Sequence, residues 1–455
     1  MARHSGQRGS RRPAAAGRPA RHARPTDQVY RSSFFLLAST VITAALGFLF
    51  WVVVARYYSI EQVGLATSLV SASVLLANLS LFGLNNTLIR FPAPAFARNG
   101  QITQSIVVVA ATACLAAVVY LLGLPLYGSK LLFFRDEPLG AAAFVVCCAL
   151  AAVNLLTKSV FVGARVPQYN VVIDGLLQGV VKLVTPTVLV VFGTAGIVGA
   201  TGAGYAVAVV GALFAMRRRL GFRFDVRTRR TRLREQLRYS FASHVSGLLG
   251  MVPMMVLPLT VLHRLGAAAA GCFFVAFQIA ALLNAVSSAV GEAMFAEASS
   301  DLSRLGELLR RSARIIAVVQ IPAVAAVVLG SGLLLHVFGG DYRNRAQGLL
   351  VVLAVGALAV ALRTWANSAL KVTQRMRHLV LSNVLGAVLT IGLAQLWAPR
   401  GLVWVGWAWG VGNLISGLYA AGALLGRRPA VPQPPQQPPR PAAPAAMIPA
   451  EGYPH

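Results

Sequence analysis

Twelve apolar runs, separated by short polar segments, account for most of this chain: 33–55, 63–89, 105–127, 140–161, 169–192, 196–216, 240–262, 267–294, 315–335, 347–370, 379–397 and 403–425. Each is close to or above the roughly 20 residues that cross the ~30 Å hydrocarbon layer of a bilayer. The runs are continuous and lack the alternation of apolar and polar residues that a barrel strand requires. In lipid they must therefore be helices, which satisfy every backbone N–H and C=O internally. The first two runs form a hairpin whose turn, Arg56-Tyr57-Tyr58-Ser59-Ile60-Glu61, holds charged and aromatic residues suited to a membrane surface.

The same hairpin returns 207 positions later. Arg31 pairs with Arg238, Ser33 with Ser240, Phe34 with Phe241 and Gly64 with Gly271. A second echo, at a separation of 205, relates Gly196-Ile197-Val198 to Gly401-Leu402-Val403. Six runs lie on either side of the basic segment 217–238, so the pattern predicts two six-helix halves of equal orientation, with a cleft between them. The expected organisation is a disordered basic tail (1–32), a first half (33–216), a basic loop (217–238), a second half (239–425) and a proline-rich disordered tail (426–455).

Composition agrees with a lipid setting: 57% hydrophobic residues, 12% charged residues and a mean hydropathy of +0.68. A water-soluble fold of 455 residues has too little interior to hide that much apolar surface. The net charge of +28 has a specific distribution. With the N-terminus inside, 33 of the 41 Lys and Arg residues fall in inner segments, 7 fall in outer ones and Lys182 alone is mid-helix. Such an asymmetry places both termini in the cytoplasm of an inner-membrane protein and removes the need for a nucleic-acid partner. The first run reads as a retained signal anchor, because no cleavage site accompanies it. The four cysteines (Cys114, Cys147, Cys148, Cys272) all lie within spanning runs, which argues against a disulfide framework or a metal site.

No phosphate-binding loop, metalloprotease motif or nucleophile elbow occurs, so no ATP hydrolysis, metal or organic cofactor is expected. Charges inside the runs are the informative residues, since an ionisable group in hydrocarbon usually faces a cavity or a partner. Asp174, Gln178 and Lys182 recur every four residues in the fifth run and should share one helical stripe. Lys182 either meets an anionic headgroup, with Asp174 as a counter-charge or as an H+ or Na+ coupling site, or belongs to a self-neutralising network. Arg363, two turns from the inner end of the tenth run, either faces the cleft or snorkels to the headgroups. Glu292 holds the repeat position of Asn85, and Glu297 that of Arg90; these ends are candidates for the inner rim of the cleft, with Glu292 a second candidate for ion coupling. Arg56, at the outer end of the first run, completes the set. His244 is expected to be a packing residue.

Phe50-Trp51-x-x-x-Ala55-Arg56-Tyr57-Tyr58-Ser59-x-Glu61-x-x-Gly64-x-Ala66-x-Ser68, followed by Gly83-Leu84-Asn85, resembles the start of bacterial polysaccharide flippases. That family belongs to the multidrug, oligosaccharidyl-lipid and polysaccharide exporter superfamily. The resemblance extends loosely over 31–425. It implies an all-α, V-shaped bundle of twelve transmembrane helices with a central cavity, which moves undecaprenyl-pyrophosphate-linked sugars outward by alternating access. It also implies membrane lipids and the glycosyltransferases and polymerase of the same pathway as partners. In the family, cavity cations attract the pyrophosphate or acidic sugars; Lys182, Arg363, Arg90 and Arg56 are the matching residue types here, with Asn85 beside them. The nearest rival is a cation-coupled drug exporter of the same fold. A membrane-embedded polymerase or glycosyltransferase would need a larger outer loop than 128–139, and a scaffold without transport is the remaining reading.

Overall fold

A computed structural model describes residues 42–90, 93, 95–225, 233–300 and 305–425. Both tails, and the repeat matches at Arg31, Ser33 and Phe34, lie outside them. Among the described residues there is no strand. Eleven helices are long and apolar enough to cross a membrane, and Ile42–Tyr57 is the described part of the first run. The chain is a multi-pass membrane protein. Its second to sixth helices are Ile60–Ser80, Ala95–Tyr127, Pro138–Gly163, Gln168–Val188 and Gly193–Leu220. The second half continues with Leu233–Leu265, Ala267–Ser300, Leu305–Leu329, Gly340–Val372, Met376–Trp397 and Leu402–Leu425, and a short helix, Ser331–Phe338, follows the ninth.

Local signals in the sequence set the helix ends. Ser59 accepts a hydrogen bond from the Gln62 backbone N–H (3.3 Å), while the Gln62 side chain accepts one from the Ser59 N–H (3.1 Å). This capping box starts the second helix one turn after the first has ended. At the other end, Phe82 and Gly83 take φ of 44° and 82°, the left-handed region that stops a helix. The chain then restarts as Leu84–Arg90, packed between the fourth and seventh helices.

The apolar core shows how the halves are arranged. Around Trp51, Val63, Phe273, Phe338, Tyr342 and Trp409, one buried cluster draws on both halves. Toward the opposite end that core divides: Leu156, Phe161 and Met216 centre a cluster of the first half alone, while Met294, Leu308 and Ala369, and separately Leu370, Leu379 and Ala420, belong to the second. The first and eighth helices show the same divergence. Trp51 lies 4.4 Å from Phe274, ring to ring, whereas Thr43, Ala44 and Ala45 are exposed, as are Ala285, Ser288 and Ala289. The bundle is a V whose buried core joins the halves at one end, while at the other end the seventh helix still touches the second helix and Leu84–Arg90.

Gly64 and Gly271 form the point of the V. A Cβ at Gly64 would lie 1.8 Å from the Ala267 carbonyl oxygen and 2.8 Å from the Gly271 nitrogen; one at Gly271 would lie 2.5 Å from the Ile60 carbonyl oxygen and 3.3 Å from the Gly64 nitrogen. Ile60 and Ala267 are themselves 207 apart, so each glycine meets the other half's copy of the same carbonyl. Backbones this close tolerate no side chain.

Candidate functional site

The intramembrane charges collect in two places, one inside each half. In the first half, the expected stripe is real but not wholly α-helical. Val171–Leu177 is a π-helical stretch with Asp174 at its centre, a local widening often found where a helix positions functional groups. It turns the Asp174 carboxylate toward the fourth helix, where Asn154 Nδ2 donates to Oδ1 (2.7 Å) and Lys158 Nζ forms an ion pair with the same oxygen (3.4 Å). The Asp174 side chain is 6% exposed and that of Lys158 33%. With its amide oriented to satisfy both neighbours, Gln178 donates to Asp174 Oδ1 (3.2 Å) and accepts from Lys182 Nζ (2.8 Å). The ammonium of Lys182 sits 3.9 Å from the centre of the Tyr205 ring, a cation–π contact. Its stem lies against Gly204, where a Cβ would come within 2.5 Å of Lys182 Cγ.

Five polar side chains therefore form one chain across the fourth and fifth helices, running from Asn154 and Lys158 through Asp174 and Gln178 to Lys182, which ends on Tyr205 of the sixth. Three of them were legible as a stripe. Lys158, one of the 33 cations counted to the inner segments in the sequence, lies inside the fourth helix, and its spacing of four from Asn154 is the signal that marks it.

The second half holds the other cluster. Arg363 turns into its own half rather than toward lipid: a Cβ at Gly386 would sit 3.2 Å from Arg363 Nη1 and 3.1 Å from Ser416 Oγ. One turn on, Asn367 Nδ2 donates to Asn383 Oδ1 of the eleventh helix (3.1 Å). Ser382 and Ser416 bond to each other beside them, Oγ to Oγ at 3.0 Å. Arg363 Nε and Asn367 Oδ1 are buried without a hydrogen-bond partner. Among the described residues no carboxylate forms an ion pair with Arg363.

Arg56 belongs to neither cluster. It sits at the joined end, where Nε donates to the Val337 carbonyl (2.7 Å) and Nη2 to that of His336 (3.2 Å), capping the last turn of Ser331–Phe338 from across the halves. Lys130 performs the reciprocal contact, donating from Nζ to the Leu262 carbonyl at the end of the seventh helix (3.1 Å). Lys130 and Val337 are 207 apart, so the two contacts share the approximate two-fold relation of Gly64 and Gly271.

Asn85 opens the short helix after the break, with its Oδ1 buried and unbonded. Arg90 ends that helix and Glu292 lies in the eighth; their side chains fall outside the described residues. His244 Nε2 lies 2.8 Å from the Asn78 carbonyl and ties the seventh helix to the second.

The fold is similar to that of solved transporters, among them members of the MOP superfamily. An inward-facing multidrug resistance MATE family transporter superposes with a TM-score of 0.67 at 14% identity, over 87% of this chain and 98% of the other. The lipid II flippase MurJ in its inward closed conformation gives 0.69 at 11% identity, over 86% and 87%. An outward-facing MATE family transporter gives 0.56 at 14% identity, over 89% and 96%. No curated protein sequence matches. Residues 29–295, more than half of the chain, match the family described as Polysaccharide biosynthesis protein, and the chain belongs to that family.

Proposed function

We propose that this protein flips an undecaprenyl-pyrophosphate-linked oligosaccharide or polysaccharide repeat unit across the cytoplasmic membrane by alternating access. One observation carries the reading: a member of a polysaccharide biosynthesis family is built as two equivalent halves whose cores are fused at one end and separate at the other. That shape suits a cargo with one greasy and one sugar-bearing part, because a cleft between two halves can take up the glycan while the lipid tail stays in the bilayer. The 33-to-7 distribution of basic residues would put the joined end outside and both termini in the cytoplasm.

In this reading Lys182 and Arg363 supply positive charge within the two halves, while Arg56 acts at the outer closure. Arg90, Asn85 and Glu292 would line the inner rim. Coupling to H+ or Na+ would run through Asp174, where an incoming cation competes with Lys158. The glycosyltransferases and polymerase of the glycan's pathway are the expected partners. Purified protein in proteoliposomes should move a lipid-linked glycan between leaflets; absence of movement for every lipid-linked glycan of the source cell would refute the proposal. The rival is drug export on the same fold, the activity in the name of one structural neighbour. Deletion that sensitises cells to drugs and leaves surface glycans unchanged would favour it.

A further inference from the structure

The ninth helix, Leu305–Leu329, is a peripheral span with two unlike faces. Leu308, Ser312, Ile316, Gln320 and Val324 recur every four residues and are buried against the bundle. The opposite face is exposed along its length. Its first turns carry Arg310, Arg311 and Arg314, and the turns beyond carry Val318, Ile321 and Leu329, which are 65%, 55% and 87% exposed. Arg310 and Arg314 stand one turn apart, about 6 Å along the axis, a spacing at which like charges weaken a helix. No carboxylate among the described residues forms an ion pair with any of the three arginines, Glu307 of the same face included. The main chain beneath them is held in place, because Trp365 Nε1 of the tenth helix donates to the Leu309 carbonyl (3.2 Å) and to Ser312 Oγ (3.1 Å).

The third helix, Ala95–Tyr127, holds the equivalent place in the first half and is just as peripheral. Its one arginine, Arg98, turns inward and donates to the Leu220 carbonyl at the end of the sixth helix, so its outward face carries no cation. A rule that only collects cations on one side of a membrane does not distinguish these two helices. We propose that Arg310, Arg311 and Arg314 form a docking site for the headgroup of an anionic phospholipid, in the leaflet at the end where the core divides. Guanidinium forks donate paired hydrogen bonds to phosphate oxygens, and a phosphate shared by Arg310 and Arg314 offsets their mutual repulsion. The apolar surface directly beyond the arginines decides the kind of partner. It gives acyl chains a place to lie, whereas a soluble phosphorylated protein would leave it bare. The site is on the outside of the second half and does not depend on what crosses between the halves.

The test counts lipids on the full-length protein by native mass spectrometry. Delipidated protein in detergent is titrated with phosphatidylglycerol or, separately, with phosphatidylcholine of the same acyl composition. Phosphatidylglycerol should form a saturable first adduct at a roughly 10-fold lower concentration, a modest share of the attraction that three surface cations exert on anionic lipid. The triple variant Arg310→Gln, Arg311→Gln, Arg314→Gln should lose this preference. A control, Arg217→Gln, Arg218→Gln, Arg219→Gln, removes as many exposed cations from the end of the sixth helix and should keep it. In phosphatidylcholine nanodiscs the first triple variant should unfold at the temperature of the parent, since the side chains it removes are exposed. Equal adducts with the two lipids, or a preference that survives in the ninth-helix variant, would overturn the proposal. So would an equal loss in the control, which would mean that diffuse charge attracts the lipid, and so would early unfolding of the ninth-helix variant, which would reveal an internal partner. None of these outcomes depends on glycan flipping.

Discussion

Gly64→Ala is the substitution with the most calculable effect. Its new Cβ would lie 1.8 Å from the Ala267 carbonyl oxygen, where ordinary contact begins at 3.4 Å, so the second and eighth helices must part by about 1.6 Å. The opposing atoms are backbone on both sides, and no side chain can rotate away. Overpacking of this kind costs roughly 1–3 kcal/mol. That cost falls only on the conformation in which Gly64 touches Gly271, so the joined state should lose about 5- to 150-fold in population relative to states in which these ends separate. Spin labels at Tyr57 and Val337, both exposed and on opposite halves, would report it in a background lacking the four native cysteines. The parent should show a short distance, and Gly64→Ala should move much of that population to longer ones. Gly271→Ala should act alike, and the double variant should fall short of additivity, because both changes disrupt one contact. An unchanged distance distribution in Gly64→Ala would refute the reasoning.

Other substitutions probe the remaining contacts. Asp174→Asn strands Lys158 and should lower unfolding stability by about 2–4 kcal/mol, toward the lower part of that range because Lys158 retains some solvent, as measured by chemical denaturation. Gly204→Val drives a side chain into the Lys182 stem and should cut transport in proteoliposomes several-fold, with a smaller loss of thermal stability. Arg56→Gln combined with Lys130→Gln removes both cationic caps and should raise the accessibility of a cysteine placed near Leu262 to a membrane-impermeant thiol reagent; unchanged labelling would show that the glycine contact alone holds this end shut.

Much of this was visible in the sequence, because membrane helices announce themselves by length and the repeat by its spacing. The stripe of Asp174, Gln178 and Lys182 appeared through simple period-four arithmetic. Its π-helical backbone did not, since a single extra residue per turn leaves a four-residue spacing intact. Lys158 escaped for a related reason: a lysine near a helix end is usually a headgroup contact, and only the position of Asp174 on the neighbouring helix makes it half of an ion pair. Gly64 and Gly271 were legible as a repeat, but their mutual contact depends on how the halves pack, which no local pattern encodes. The same holds for Arg56, whose acceptors are main-chain oxygens 280 and 281 residues away.

That last detail bears on how the molecule can change over generations. Both bolts, Arg56 and Lys130, are side chains of the first half, while both keepers are main-chain oxygens of the second. An amide oxygen persists whatever residue carries it, so drift at His336, Val337 or Leu262 leaves the keepers in place. The strength of the fastening can then be adjusted through just two codons, both in the same half of the gene.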